Sequence, residues 1–122
     1  MNKKESRRKE MNKEKYITKL TSIWMECLGY HKDRDCHWYI QQTWSYGDEP
    51  YWEAQHYGYV YEPEPIKSKS HDGALDELIQ MIKEGFKNEI EHAEYVLSKK
   101  SDWDEYDIKH AELIIKKMKP EI

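Results

Sequence analysis

The chain has 122 residues, the size of one domain, and one that needs neither disulfides nor a structural metal to bury a core. Apolar residues make up 38% and charged residues 36%, so that core must be compact, and ten Tyr and five Trp against one Phe must supply much of it. Residues 1–15 hold seven Lys/Arg against three Asp/Glu, a local +4 that leaves −8 on the rest of the net −4 chain; a basic arm on an acidic body is not the footprint of a nucleic-acid-binding domain, which needs a basic face on its folded part.

The first fifteen residues are almost wholly polar and read as a flexible arm or a fraying helical extension, with the single domain starting at residue 16. From there Tyr16, Ile17, Leu20, Ile23, Trp24, Cys27 and Leu28 recur at helical spacing. This predicts a helix from about Asn12 to Leu28, stopped by Gly29. The charged opening is no secretory leader, so Cys27 and Cys36 are expected as reduced thiols in a cytoplasmic setting. No apolar run reaches the roughly 18 residues that a membrane span needs.

After a polar connection the pattern changes to alternation. Cys36, Trp38, Ile40 and Trp44 interleave with His37, Tyr39, Gln41 and Thr43. The segment YGDEP is turn chemistry. Beyond it, Trp52, Ala54, His56, Gly58 and Val60 fall on one face and Tyr51, Tyr57, Tyr59 and Tyr61 on the other. This predicts a β-hairpin. Pro63 and Pro65 end the second strand or mark a sheet edge, and Ile66–Ser70 offers a short third strand.

Helical spacing then returns through Leu75, Leu78, Ile79, Ile82, Phe86, Ile90, Ala93, Val96 and Leu97, with Ser70 or Asp72 as N-cap and Gly85 as a point of bending or splitting. A loose capping box at Ser101–Asp104 opens a last helix through Ile108, Ala111, Ile115 and Met118, closed by Pro120. The segment IEHAE at Ile90 is echoed by IKHAE at Ile108, which suits two helices of a hairpin packing through Ala. The expected fold is α+β: an N-terminal helix, an antiparallel aromatic sheet of two or three strands, and C-terminal helices forming a helical hairpin.

Catalytic signatures are missing: there is no G-x-S-x-G, P-loop or G-x-G-x-x-G. Glu89 with His92, and Asp107 with His110, set a carboxylate and a His one turn apart twice, as in di-iron bundles, yet two further carboxylate-bearing helices would be required. A solvated charged face is the plainer reading. Cys27, His31, Cys36 and His37 match no zinc spacing, and reactivity at Cys36 would need an electropositive setting that Asp33, Arg34 and Asp35 cancel. No cofactor is expected.

Between Trp38 and Tyr61 lie nine Tyr or Trp residues, distributed over both strand faces. One face must pack on helices; the other is either covered by the C-terminal helices or open. An open tyrosine-rich patch marks an interaction site. Tyr39, Tyr57, Tyr59, Tyr61, Trp44 and Trp52 are therefore the candidate binding residues. The leading expectation is a non-enzymatic protein-binding module acting through the aromatic sheet face or the acidic helical hairpin, with a homo-oligomer as a further option. Stacking of a planar ligand or a base on the hairpin is one alternative, and a metal-dependent enzyme using Glu89, His92, Asp107 and His110 is another. Glu53, Glu62 and Glu64 around it disfavour phosphates.

The strands CHWYIQQTW and YWEAQHYGYVYE, followed by SHDGALDELIQMI, give an order of elements that resembles the small α-β-β-β-α proteins of bacteriophages, including the ABA-sandwich type. Double-stranded-RNA-binding domains share that order. Their last helix opens on Lys-Lys-x-Ala-Lys, where this chain has Asp72-Gly73-Ala74-Leu75-Asp76, so RNA binding does not carry over. The passage Gly58–Ile82 is similar to the strand-to-helix passage of HicB-type antitoxins, although the helix before the hairpin departs from them. These resemblances imply a small phage or mobile-element regulator or inhibitor and no catalytic residue.

Overall fold

The computed structural model describes residues 3–28, 36–44, 47, 49–58 and 63–122. Helix α1 spans Lys3–Leu28, strands β1, β2 and β3 span Cys36–Thr43, Tyr51–Gly58 and Ile66–Ser68, and helices α2 and α3 span His71–Ser98 and Glu105–Met118. Short 3-10 turns follow α2 and α3, at Lys100–Asp102 and Lys119–Glu121. The α+β order matches the sequence reading, and the optional third strand forms. Helix α1 begins at Lys3 rather than at Asn12, so the polar opening continues the helix.

The sheet is antiparallel with order β1-β2-β3. Pairing of β1 with β2 is one-to-one, from Cys36 opposite Gly58 to Thr43 opposite Tyr51. Strand β3 adds only Ile66, Lys67 and Ser68, opposite Ala54, Glu53 and Trp52. In the connection between β1 and β2, Gly47 adopts φ +86°, the left-handed conformation that a side chain disfavours.

Strand alternation decides what the sheet buries. The even-numbered side chains Trp38, Ile40, Trp52, Ala54 and His56, with Ile66, face the helices. Ile17 and Leu20 of α1, and Leu75, Leu78, Ile82 and Phe86 of α2, meet them in one core with no solvent exposure. Trp24 joins the layers: it stacks on Phe86 and sets its edge against His56. Helix α3 packs on α1 and α2, away from the sheet, burying Ala111, Ile114 and Met118.

Two local expectations change. Gly85 neither bends nor splits α2, which runs unbroken from His71 to Ser98. A Cβ at Gly85 would stand 2.7 Å from Cζ3 of Trp24, so the glycine admits the indole. The last helix is capped by Asp104, whose Oδ1 accepts from the Asp107 amide at 2.8 Å, and the Ser101–Asp102 segment forms a 3-10 turn instead of a capping box. Of the two N-caps offered for α2, Ser70 is the one that forms, with Oγ accepting from the Gly73 amide at 2.9 Å, and Asp72 lies in the first turn.

Candidate functional site: the tyrosine face of the sheet

Opposite the helices, the odd-numbered side chains make a second surface. His37, Tyr39, Gln41 and Thr43 of β1 stand beside Tyr51, Glu53, Gln55 and Tyr57 of β2, with Lys67 of β3 at the far side. Both helices that dock on the sheet do so on the other face, so no described helix covers this one, on which Tyr39, Tyr51 and Tyr57 are half-buried.

Its polar groups are tied together. The Tyr39 hydroxyl lies 3.1 Å from Oε1 of Gln55 and 3.4 Å from Oε2 of Glu53. Gln41 donates to the same Glu53 oxygen at 2.9 Å, and Gln55 donates to the Pro63 carbonyl at 2.8 Å. Partial burial, and then the Glu53 carboxylate, push the Tyr39 phenol above its ordinary pKa. It is therefore a neutral donor at physiological pH. The Tyr39 and Tyr57 rings meet edge-on at 6.1 Å, His37 lies 5.9 Å from Tyr57, and Lys67 sits over the Tyr51 ring at 5.6 Å. The surface is a hydrogen-bonded lattice of aromatic and amide groups.

The six candidate binding residues do not share one surface. Tyr39 and Tyr57 are neighbours on this face. Trp44 follows β1 and is 66% exposed. Trp52 points to the helix side, half-buried, with its edge against His71 at 4.7 Å. Tyr59 and Tyr61 lie outside the described residues. Sequence reasoning put Tyr51 on this face without nominating it, and passed over Gln41, Glu53, Gln55 and Lys67. The signal was available for the β2 residues, which stand two positions apart in step with Tyr57. Lys67 depends on the register of β3, which the sequence does not reveal.

The other constellations assemble differently. Glu89 and His92 lie on α2, and Asp107 and His110 on α3. His92 is exposed with Trp103 against its edge, whereas His110 Nε2 donates to the Cys27 carbonyl at 2.7 Å. Partial desolvation and the Asp104 carboxyl raise the Asp107 pKa, with His110 and His92 pulling the other way. Among the described residues, no group of three or more His, Cys, Asp or Glu is arranged to hold a metal ion. Cys27 is buried in the helix layer, and burial pushes its thiol up to about 11, while His37 is exposed on the opposite side of the sheet. His31 lies outside the described residues.

No helix among the described residues is long and apolar enough to cross a membrane. No family model, curated protein or solved structure matches the chain.

Proposed function

We propose that this protein is a non-enzymatic binding module that holds another protein on the tyrosine face of its sheet. Its size and order of elements suit a small phage or mobile-element regulator or inhibitor. The observation that carries the reading is the half-buried cluster of Tyr39, Tyr51 and Tyr57 on the sheet face opposite the helices, set among hydrogen-bonded amides. Rigid tyrosines offer large contact area at little cost in side-chain entropy, and they are enriched where binding energy concentrates. The helical hairpin is the weaker candidate surface, because Glu94 pairs with Lys119 and Glu105 with Lys109. Stacking of a planar ligand is less well supported than protein binding, since Trp52 is committed to the helix side.

A photo-crosslinking amino acid at Tyr57, compared with the same group at the exposed Glu77 of α2, tests this in the source cell. The expected result is one protein adduct found from position 57 and not from position 77. Tyr39→Ala with Tyr57→Ala should then weaken affinity for that protein at least tenfold while circular dichroism stays unchanged. The same adducts from both positions would overturn the reading.

A further inference from the structure

We propose that the protein held on the tyrosine face sets an arginine side chain against Glu53, so that this carboxylate selects a basic partner. The inference rests on the reading of this face as a protein-binding surface and names the chemistry of what it takes.

Glu53 stands in the middle of the face. On β2 it lies between Tyr51 and Gln55, with Gln41 opposite it on β1 and Lys67 opposite it on β3. It is half-buried, so water screens its charge only in part. Two groups reach it, the Gln41 amide at 2.9 Å and the Tyr39 hydroxyl at 3.4 Å, and both meet Oε2. Both are neutral donors. Lys67 is the cation closest by strand position, yet its ammonium sits over the Tyr51 ring. Among the described residues, no Lys, Arg or His forms an ion pair with Glu53. The carboxylate is hydrogen-bonded but its charge is not matched.

The groups around it have acceptors to spare. Gln55 donates its Nε2 to the Pro63 carbonyl at 2.8 Å, which turns its Oε1 toward Tyr39. The Tyr39 hydroxyl then has two acceptors within reach, Gln55 Oε1 and Glu53 Oε2, and one proton to share between them. Glu53 Oε1 receives no donor among the described residues. What completes this cluster must bring positive charge and more than one donor.

The guanidinium group does both. It presents several N–H donors in one plane, and it stacks on aromatic rings such as Tyr39 and Tyr51 beside Glu53. The face already holds a cation on a ring, in Lys67 over Tyr51. A lysine from the partner would bring the charge without the planar fork. A metal ion is not the occupant, because among the described residues no group of three or more His, Cys, Asp or Glu is arranged to hold one. The surroundings favour the same sign of partner. Glu49 and Glu64 are exposed in the connections on either side of β2, and with Glu53 they outnumber Lys67 and Lys69.

The test uses the full chain and a displayed library of random short peptides. The peptides carried forward are those whose binding is lost with Tyr39→Ala and Tyr57→Ala. They should share an arginine. In the tightest of them, replacing that arginine by citrulline keeps the shape and removes the charge, and should weaken affinity roughly tenfold or more in calorimetry. Glu53→Gln should weaken the arginine peptide to a similar degree. The two losses should not add: the citrulline peptide should bind Glu53→Gln and the wild type alike. Equal affinity of the arginine peptide for both proteins would overturn the proposal, as would tyrosine-dependent peptides with no shared arginine. Either result would leave the tyrosine face standing as a binding surface. A library without any tyrosine-dependent peptide would overturn both this proposal and the reading beneath it. Citrulline leaves the protein untouched, so the answer does not hang on the fold of Glu53→Gln, which circular dichroism checks.

Discussion

His56 has no exposed surface and sits against the edge of Trp24. Burial lowers its pKa from 6.5 to about 4, because the imidazolium would lose its water. Between those values the unfolded chain binds a proton that the folded chain does not. This contribution to stability is therefore full above pH 6.5 and is lost as pH falls toward 4, by roughly 3 kcal/mol at most. Urea midpoints at pH 7 and pH 4.5 should show a larger loss for the wild type than for His56→Gln. An equal loss would mean that His56 titrates normally in the folded state. Gly85 tests the same core from the helix side. In an open helix Gly→Ala gains about 1 kcal/mol. Here the new methyl meets Trp24, which is held between His56 and Phe86. Gly85→Ala should destabilise by about 1–3 kcal/mol, read as a drop in the chemical-denaturation midpoint. The sequence marked Gly85 only as a possible bend, because the approach of Trp24 from another helix leaves no local signature.

At the scale of elements, helix ends were legible wherever the cap was local. Ser70 caps α2 as its sequence position suggested. The cap of α3 proved to be Asp104, the last residue of the segment read as a loose capping box. Asp104→Ala should cost about 1 kcal/mol in thermal or urea unfolding, and Asp104→Asn, which keeps the acceptor, should recover most of it. No change with alanine would place the helix start elsewhere. The IEHAE echo follows the same division. Ala93 and Ala111 are both buried, as a helical hairpin packed through small residues requires. The two histidines differ: His92 faces solvent, and His110 satisfies the Cys27 carbonyl in the last turn of α1, one of the acceptors a helix end leaves open. Nearly identical local sequence, differing only at Glu91 and Lys109, therefore receives different roles from different neighbours.

For the whole molecule, stability and recognition draw on opposite sides of one sheet. Lys13 links α1 to the start of α2 through Asp72 at 2.6 Å and Asp76 at 2.9 Å, and Lys19 reaches Glu121 at 2.8 Å. The Tyr16 hydroxyl donates to Glu121 Oε2 at 3.3 Å. These contacts gather the helices on one side and leave the tyrosine lattice on the other. Replacing Tyr39 and Tyr57 by alanine should accordingly cost far less stability than truncating Phe86, for which about 3–5 kcal/mol is expected. Comparable losses from both changes would mean that the tyrosine face is structural.

The sequence by itself determined the α+β class, the element order, the hairpin and most of the core, and left the third strand open. Those follow from periodicity, which is local: apolar residues repeat at helical spacing in Tyr16–Leu28 and alternate in Cys36–Thr43. It also separated the two faces of the hairpin, since a strand's side chains alternate by necessity. Which face the helices would take, which strand would be left at the edge, and which histidine would be spent on a helix end were decided by tertiary structure alone. Each depends on packing between segments far apart in the chain, where His110 meets Cys27 and Trp24 meets Gly85. Only the assembled layers give those pairs their energy.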